Sequence, residues 1–231
     1  MYKISLDNLN SLFSAIAEKQ GLYLPVDTEA GAKFERWEEG KELSDRLNTV
    51  RSPKDFFFPQ TENLMDFKVE GKSVEIIDTR SECEDFVIFG IRGCDVKSFE
   101  VLDRVFLADP IDTYYENRRK HSTIVSMACT RPVETCFCHT FGIDASEPEG
   151  DVVCYKTEDM LYLDAKTDKG AALLNGISGV LSESDGAAVD EQKKMIAERM
   201  EKLPLANLSA DKFGADKTKE FFERPEWSEL S

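Results

Sequence analysis

The sequence predicts an α/β or α+β protein: a mixed β-sheet flanked by helices, with a helical carboxyl-terminal extension. Three observations predict it. From residue 73 onward, short apolar runs alternate with stretches of helical periodicity. Two of the runs, 85–91 and 122–128, place apolar residues on both faces, as buried strands require. Beyond Lys169 helical spacing dominates. The expected division is a scaffold domain over 1–181 and a helical extension over 182–231, joined at the linker-like run 182–190 (Ser-Glu-Ser-Asp-Gly-Ala-Ala-Val-Asp).

Taken in order, Leu6, Leu9, Phe13, Ile16 and Ala17 recur at helical spacing and Gly21 follows as a stop signal. Tyr23 to Val26 reads as extended, and Phe34 to Leu47 is charged and weakly periodic. Phe56-Phe57-Phe58 lies between Pro53 and Pro59, and proline pushes the residue before it into extended geometry. These rings form either an aromatic plug over the core or a partner-docking or site-lining segment. Ser73 to Ile77 and Asp85 to Ile91 read as strands, and Asp95 to Leu107 as a helix with Val96, Phe99, Leu102, Val105 and Phe106 on one side. Ser122 to Ala128 is a further buried strand, with His121 at its start. Asp151 to Tyr155 and Met160 to Ala165 read as an antiparallel pair. Helices are expected over Lys169 to Leu181, Asp190 to Lys202 and Asp211 to Phe222.

Composition excludes some classes of function. With 29 Lys and Arg against 45 Asp and Glu, the net charge of −16 counts against nucleic acid or an anionic membrane surface as a partner. The amino terminus lacks the pattern of a secretory signal, and no apolar run is long enough to span a bilayer. A cytoplasmic location is therefore expected, where clustered cysteines indicate metal or catalysis more often than disulfides.

Cys129, Cys136, Cys138 and His139 fall within eleven consecutive residues, and Cys94 follows the strand over 85–91. Both Cys94 and Cys129 lie just past the carboxyl ends of buried strands, where open α/β sheets bind ligands. Cys94 also opens a helix, whose backbone N–H groups favour a thiolate. Arg92 and Arg131 offset the charge of a thiolate-bound cluster, and Gly93 permits close approach of a bulky group. Spacing alone leaves three readings open: an iron–sulfur cluster on four thiolates, a tetrahedral zinc site that includes His139, or ordinary buried thiols. A redox-active dithiol at Cys136 and Cys138 is a further alternative. Cys83 and Cys154 are isolated.

Three ordered motifs carry a resemblance: Ser52-Pro53-Lys54-x-Phe56-Phe57-Phe58-Pro59-Gln60-x-Glu62, then Gly90-x-Arg92-x-Cys94-Asp95, then Cys129-x-x-Pro132-x-x-Thr135-Cys136-Phe137-Cys138-x-x-x-Gly142. Gly150-Asp151 and Thr167-x-x-Gly170-x-x-Leu173-Leu174 continue it. The chain resembles the amino-terminal region of the sulfhydrogenase beta subunit, in the family shared with anaerobic sulfite reductase. Members of that family are electron-transfer subunits of anaerobic metabolism. The resemblance implies a 4Fe–4S cluster on Cys94, Cys129, Cys136 and Cys138, with Arg92, Gly93, Arg131 and His139 around it. It also implies partner subunits of two kinds, one a flavin- and NAD(P)H-linked reductase, the other a catalytic hydrogenase or sulfite reductase. The chain itself would carry electrons and make no bonds. The family's ferredoxin-like domain, with its two four-cysteine runs, is expected beyond the point where this sequence ends. The rival reading is a structural or assembly module with zinc or plain thiols.

Overall fold

The structure, a computed structural model, describes residues 1–230. Ten strands run in chain order: β1 (Tyr2–Ser5), β2 (Gly21–Thr28), β3 (Gly31–Arg36), β4 (Met65–Glu70), β5 (Ser73–Asp78), β6 (Phe86–Arg92), β7 (Ser122–Met127), β8 (Val152–Lys156), β9 (Met160–Ala165) and β10 (Ser182–Glu183). The main helices are α1 (Leu9–Ala17), α2 (Gly93–Phe106), α3 (Thr113–His121), α4 (Asp168–Gly176), α5 (Ala187–Glu201) and α6 (Ala215–Phe222). Eight strands form one mixed sheet, ordered β10-β1-β9-β8-β7-β6-β2-β3, while β4 and β5 make a separate hairpin. The central neighbours β2, β6, β7 and β8 are parallel, and antiparallel strands close both ends. The expected α/β architecture with carboxyl-terminal helices is the one observed.

Alternation along the strands sorts the core into layers. On one face, Val87, Phe89, Val125, Met127, Val152 and Cys154 pack under Leu12, Phe13 and Ile16 of α1 and Leu173 and Leu174 of α4. On the other, Ile88, Ile91 and Ile124 meet Val96 and Phe99 of α2, Tyr115 of α3 and Phe57. Val153 and Tyr155 meet Val189 and Ile196 of α5. Each fully buried Leu, Ile or Phe contributes about 1.5–3 kcal/mol, against about 0–1 kcal/mol for a surface ion pair. The layers, not the charges, hold the sheet.

One irregularity orients the end of β6. The β6–β7 register shifts between Phe89 and Ile91, around Gly90 at φ +82°. A bulge adds one residue and reverses the alternation beyond it, so Ile91 joins Ile88 on the same face instead of following Phe89. The shift fixes how Arg92, the last residue of β6, leaves the sheet.

Two of the motifs prove to be scaffold. The Asp151 carboxylate accepts the Ile124 backbone N–H at 2.8 Å and the Thr167 hydroxyl at 2.6 Å. Thr167 Oγ1 in turn caps α4 by accepting the Gly170 N–H at 3.2 Å. A Cβ on Gly170 would lie 1.9 Å from the Asp151 carbonyl oxygen, so only glycine lets α4 sit this close to β8. The phenylalanine motif is mostly plug. Phe57 is fully buried, with its ring 4.8 Å from Phe99 and the Arg119 guanidinium 4.9 Å above it. Arg119 is held bidentately by Asp103, both bonds at 2.9 Å, and Tyr115 donates to the same carboxylate at 2.6 Å. Phe56 packs on Tyr23, whereas Phe58 stays exposed beside Phe106.

Several elements depart from the sequence reading. Ser73 to Ile77 is extended, but it lies in the β4–β5 hairpin and does not begin the βα succession. The run 182–190 contains β10, which pairs with β1. His121 ends α3 instead of opening β7, and its Nδ1 lies 2.7 Å from the Asp85 carboxylate.

Candidate functional site

Strand ends and one long loop build the site. Cys94 is the second residue of α2, directly after β6, and Cys129 lies two residues past the end of β7. The loop from 128 to 150 carries Cys136 and then Cys138, which opens a single 3-10 turn over Cys138–Phe141. Gly142, at φ +70°, ends that turn, and its N–H donates to the His139 carbonyl at 3.1 Å. The Cys129 N–H donates to the Ala145 carbonyl at 2.8 Å, which folds the loop back over the strand end. A Cβ on Gly93 would meet Pro148 at 2.9 Å and Ile143 at 3.1 Å, so the returning loop closes directly over the start of α2.

This folding brings Cys94, Cys129, Cys136 and Cys138 within electrostatic reach of one another. The Cys138 thiol is influenced by the other three, and Cys129 also by Arg92. Burial pushes Cys138 up to about 11, and the three neighbouring sulfurs add to the rise. Burial raises Cys129 as well, opposed by the Arg92 guanidinium and by the Arg131 backbone N–H. Cys94 has an exposed surface, yet partial burial raises its thiol and the Asp95 carboxylate raises it further. A raised Cys138 is the opposite of what a reactive dithiol requires. Among the described residues, no three His, Cys, Asp or Glu side chains come close enough together to hold a single metal ion.

Backbone donors face the sulfurs. The Val133 N–H reaches Cys136 Sγ at 3.4 Å, the Asp95 N–H serves Cys94, and the Arg131 N–H serves Cys129. Arg92 is largely enclosed, and burial works against its charge while Cys129, Cys94, Asp45 and Asp95 support it. One of its nitrogens donates to the Ala128 carbonyl at 3.3 Å. Arg131 and His139 are both exposed. Cys83 lies in the 79–83 segment and Cys154 is buried in the core of β8, both outside this group.

Sequence reasoning missed Ser52, whose hydroxyl donates to the Asp95 carboxylate at 2.6 Å and so ties the phenylalanine segment to the Cys94 turn. The presence of both residues in the ordered motifs was the available signal. It also missed Lys156 and Asp45, an ion pair beside Arg92 that no local pattern announces.

Over 158 residues, 68% of the chain, the sequence is 32% identical to sulfhydrogenase 2 subunit beta of Pyrococcus furiosus. The chain is a homologue of that subunit. The similarity accords with the motif-based resemblance to the amino-terminal region of the sulfhydrogenase beta-subunit family. The matched stretch covers 46% of the relative, so the chain spans about half the length of the curated protein it matches. No family model matches the sequence, and no solved structure matches it. Among the described residues, no helix is long and apolar enough to cross a membrane.

Proposed function

We propose that this chain is the cluster-holding part of an electron-transfer subunit in a multi-subunit oxidoreductase. Cys94, Cys129, Cys136 and Cys138 would supply four thiolates to an iron–sulfur cluster of the 4Fe–4S type. The observation that carries the reading is that Cys138 lies within electrostatic reach of the other three thiols, which come from two strand ends and one loop, beside a largely enclosed arginine. Similarity to a sulfhydrogenase beta subunit supports it. On the same reading, the partners are a flavin- and NAD(P)H-linked subunit on one side and a catalytic hydrogenase or sulfite reductase subunit on the other.

The donor set suits a cluster better than a single ion. A lone zinc ion draws four ligands to about 2.0–2.3 Å from one centre, and the described residues contain no such focus. A cluster distributes its four ligands over separate irons and therefore accepts thiols that are near one another without converging on a point. When bound, it supplies one-electron storage. The chain's own residues do the rest. Arg92 offsets the negative charge of the thiolates, and the Val133, Asp95 and Arg131 N–H groups stabilise their sulfurs. Ser52 fixes Asp95 and the start of α2, which holds Cys94 in place.

Anaerobic purification followed by iron, labile-sulfide and zinc analysis tests the proposal. About four irons and matching sulfide per chain are expected. Cys129→Ser and Cys136→Ser should each lower the iron content, and Cys83→Ser should leave it unchanged. Stoichiometric zinc, or identical iron in all three variants, would overturn the assignment.

A further inference from the structure

Beside the thiols lies a cavity of about 440 Å³ that the electron-transfer reading does not use. Its position is set by topology. The last residues of three adjacent parallel strands, Arg92 of β6, Met127 of β7 and Lys156 of β8, all line it. Crevices at the carboxyl ends of parallel strands are where open α/β sheets bind small molecules, and the volume falls in the range of ligand pockets.

The lining has two kinds of surface. Leu43 and Leu47, with Met127, provide an apolar wall. Arg92 and Arg131 provide guanidinium groups with unused donors. Among the described residues the Arg92 side chain donates one hydrogen bond, to the Ala128 carbonyl, and Arg131 forms no ion pair. Lys156 contributes less, because its charge is already paired with Asp45, which also lines the cavity. Glu158 adds a second carboxylate. Three cations against two carboxylates still leave the cavity positive in a chain of net charge −16. A planar five-donor fork matches a carboxylate or a phosphate bidentately, whereas a lysine ammonium does not.

We infer that this cavity is a binding site for a small organic oxyanion, a carboxylate or phosphate attached to an apolar body. Its oxyanion lies against the Arg92 and Arg131 forks and its apolar part against Leu43, Leu47 and Met127. Arg92 is then shared between the ligand and the thiols, so the two sites are electrostatic neighbours. The inference does not depend on iron. It stands on the cavity, and it can fail or hold whatever the cysteines bind.

Isothermal titration of the protein, before and after iron loading, with phenyl phosphate, benzoate and benzyl alcohol tests it. At least one of the two anions should bind, and neutral benzyl alcohol should bind far more weakly. Phenyl phosphate and benzoate together distinguish the phosphate from the carboxylate class. Arg131→Gln changes an exposed side chain and should lower anion affinity by about tenfold or more, with the melting temperature unchanged. Arg92→Gln should lower it too, and Arg131→Gln keeps the test valid if the Arg92 variant fails to fold. Equal binding of the neutral compound, no binding of either anion, or unaltered affinity in Arg131→Gln would overturn the inference. Iron content, measured on the same samples, reports separately on the cysteine proposal.

Discussion

The β6–β7 pair and the β4–β5 hairpin are built from similar residues and end in opposite circumstances. Val87, Phe89 and Val125 are covered by α1 and α4, and Ile88 and Ile124 by α2 and α3, so both faces of the central pair are dry. In the hairpin, Met65, Phe67, Val69, Val74 and Ile76 share one face through the pairs Phe67↔Ile76 and Val69↔Val74. All five are exposed, Phe67 by 71%. Period-2 alternation tells which residues share a face. It does not tell whether anything covers that face. A two-stranded hairpin with no covering layer is marginal by itself, so β4–β5 is held less firmly than the central pair.

Substitutions can break this contrast. The largest effect is expected for Phe57→Ala, which empties a fully buried site against Phe99 and Tyr115 and should cost about 3–5 kcal/mol in urea unfolding. Phe67→Ala, the same change on the hairpin, should alter stability by no more than about 0.5 kcal/mol. Equal costs would mean that the hairpin face is covered in solution. Between them in size is Gly170→Ala, which places a Cβ against the Asp151 carbonyl and should cost about 1–3 kcal/mol by prising α4 from the sheet. Thermal melts showing no loss would refute the close approach.

The smallest effect is electrostatic. Hydrogen bonds from Lys166 and Lys193 hold the Glu147 carboxyl down at about 2, below the ordinary 4.5. A lowered folded-state value stabilises above the unfolded one, so this contribution is complete above about pH 4.5 and is lost as pH falls towards 2. Glu147 is substantially exposed, which keeps the gain small. Glu147→Gln should therefore melt slightly below the native protein at pH 7, with the gap closing by pH 2. A gap that persists unchanged in acid would contradict the pairing.

The legible parts of the fold are those whose surroundings are written into their own residues. Phe86 to Ile91 and Ser122 to Met127 carry apolar residues on both faces because layers lie on both sides. Strand β3 is illegible because it is an edge, where Lys33 and Glu35 form an ion pair at 4.0 Å and the residues need not be apolar. Helix α3 escapes periodicity because Tyr115 is its one buried residue. Its clear signal is the Asp112 cap, which accepts the Tyr114 and Tyr115 N–H groups at 3.0 Å. At the site, the nearness of Cys94 and Cys129 follows from their strand ends. The cavity does not, because Leu43 comes from a loop, and Arg92 and Lys156 from strands that parallel pairing through β7 brings side by side.

That pairing also sets an order in time. Cys94 and Cys129 are separated by α2, α3 and the whole of β7, and they meet only once β6 and β7 have joined in parallel. Parallel, non-local pairing is a slow step, because the loop must close before any contact rewards it. On a nascent chain the four thiols are therefore separate groups in separate segments. Their gathering belongs to the folded sheet. This reverses the sequence followed by zinc fingers, where the metal gathers an unfolded chain around itself. A group that needed all four thiols would meet them together only on the folded sheet.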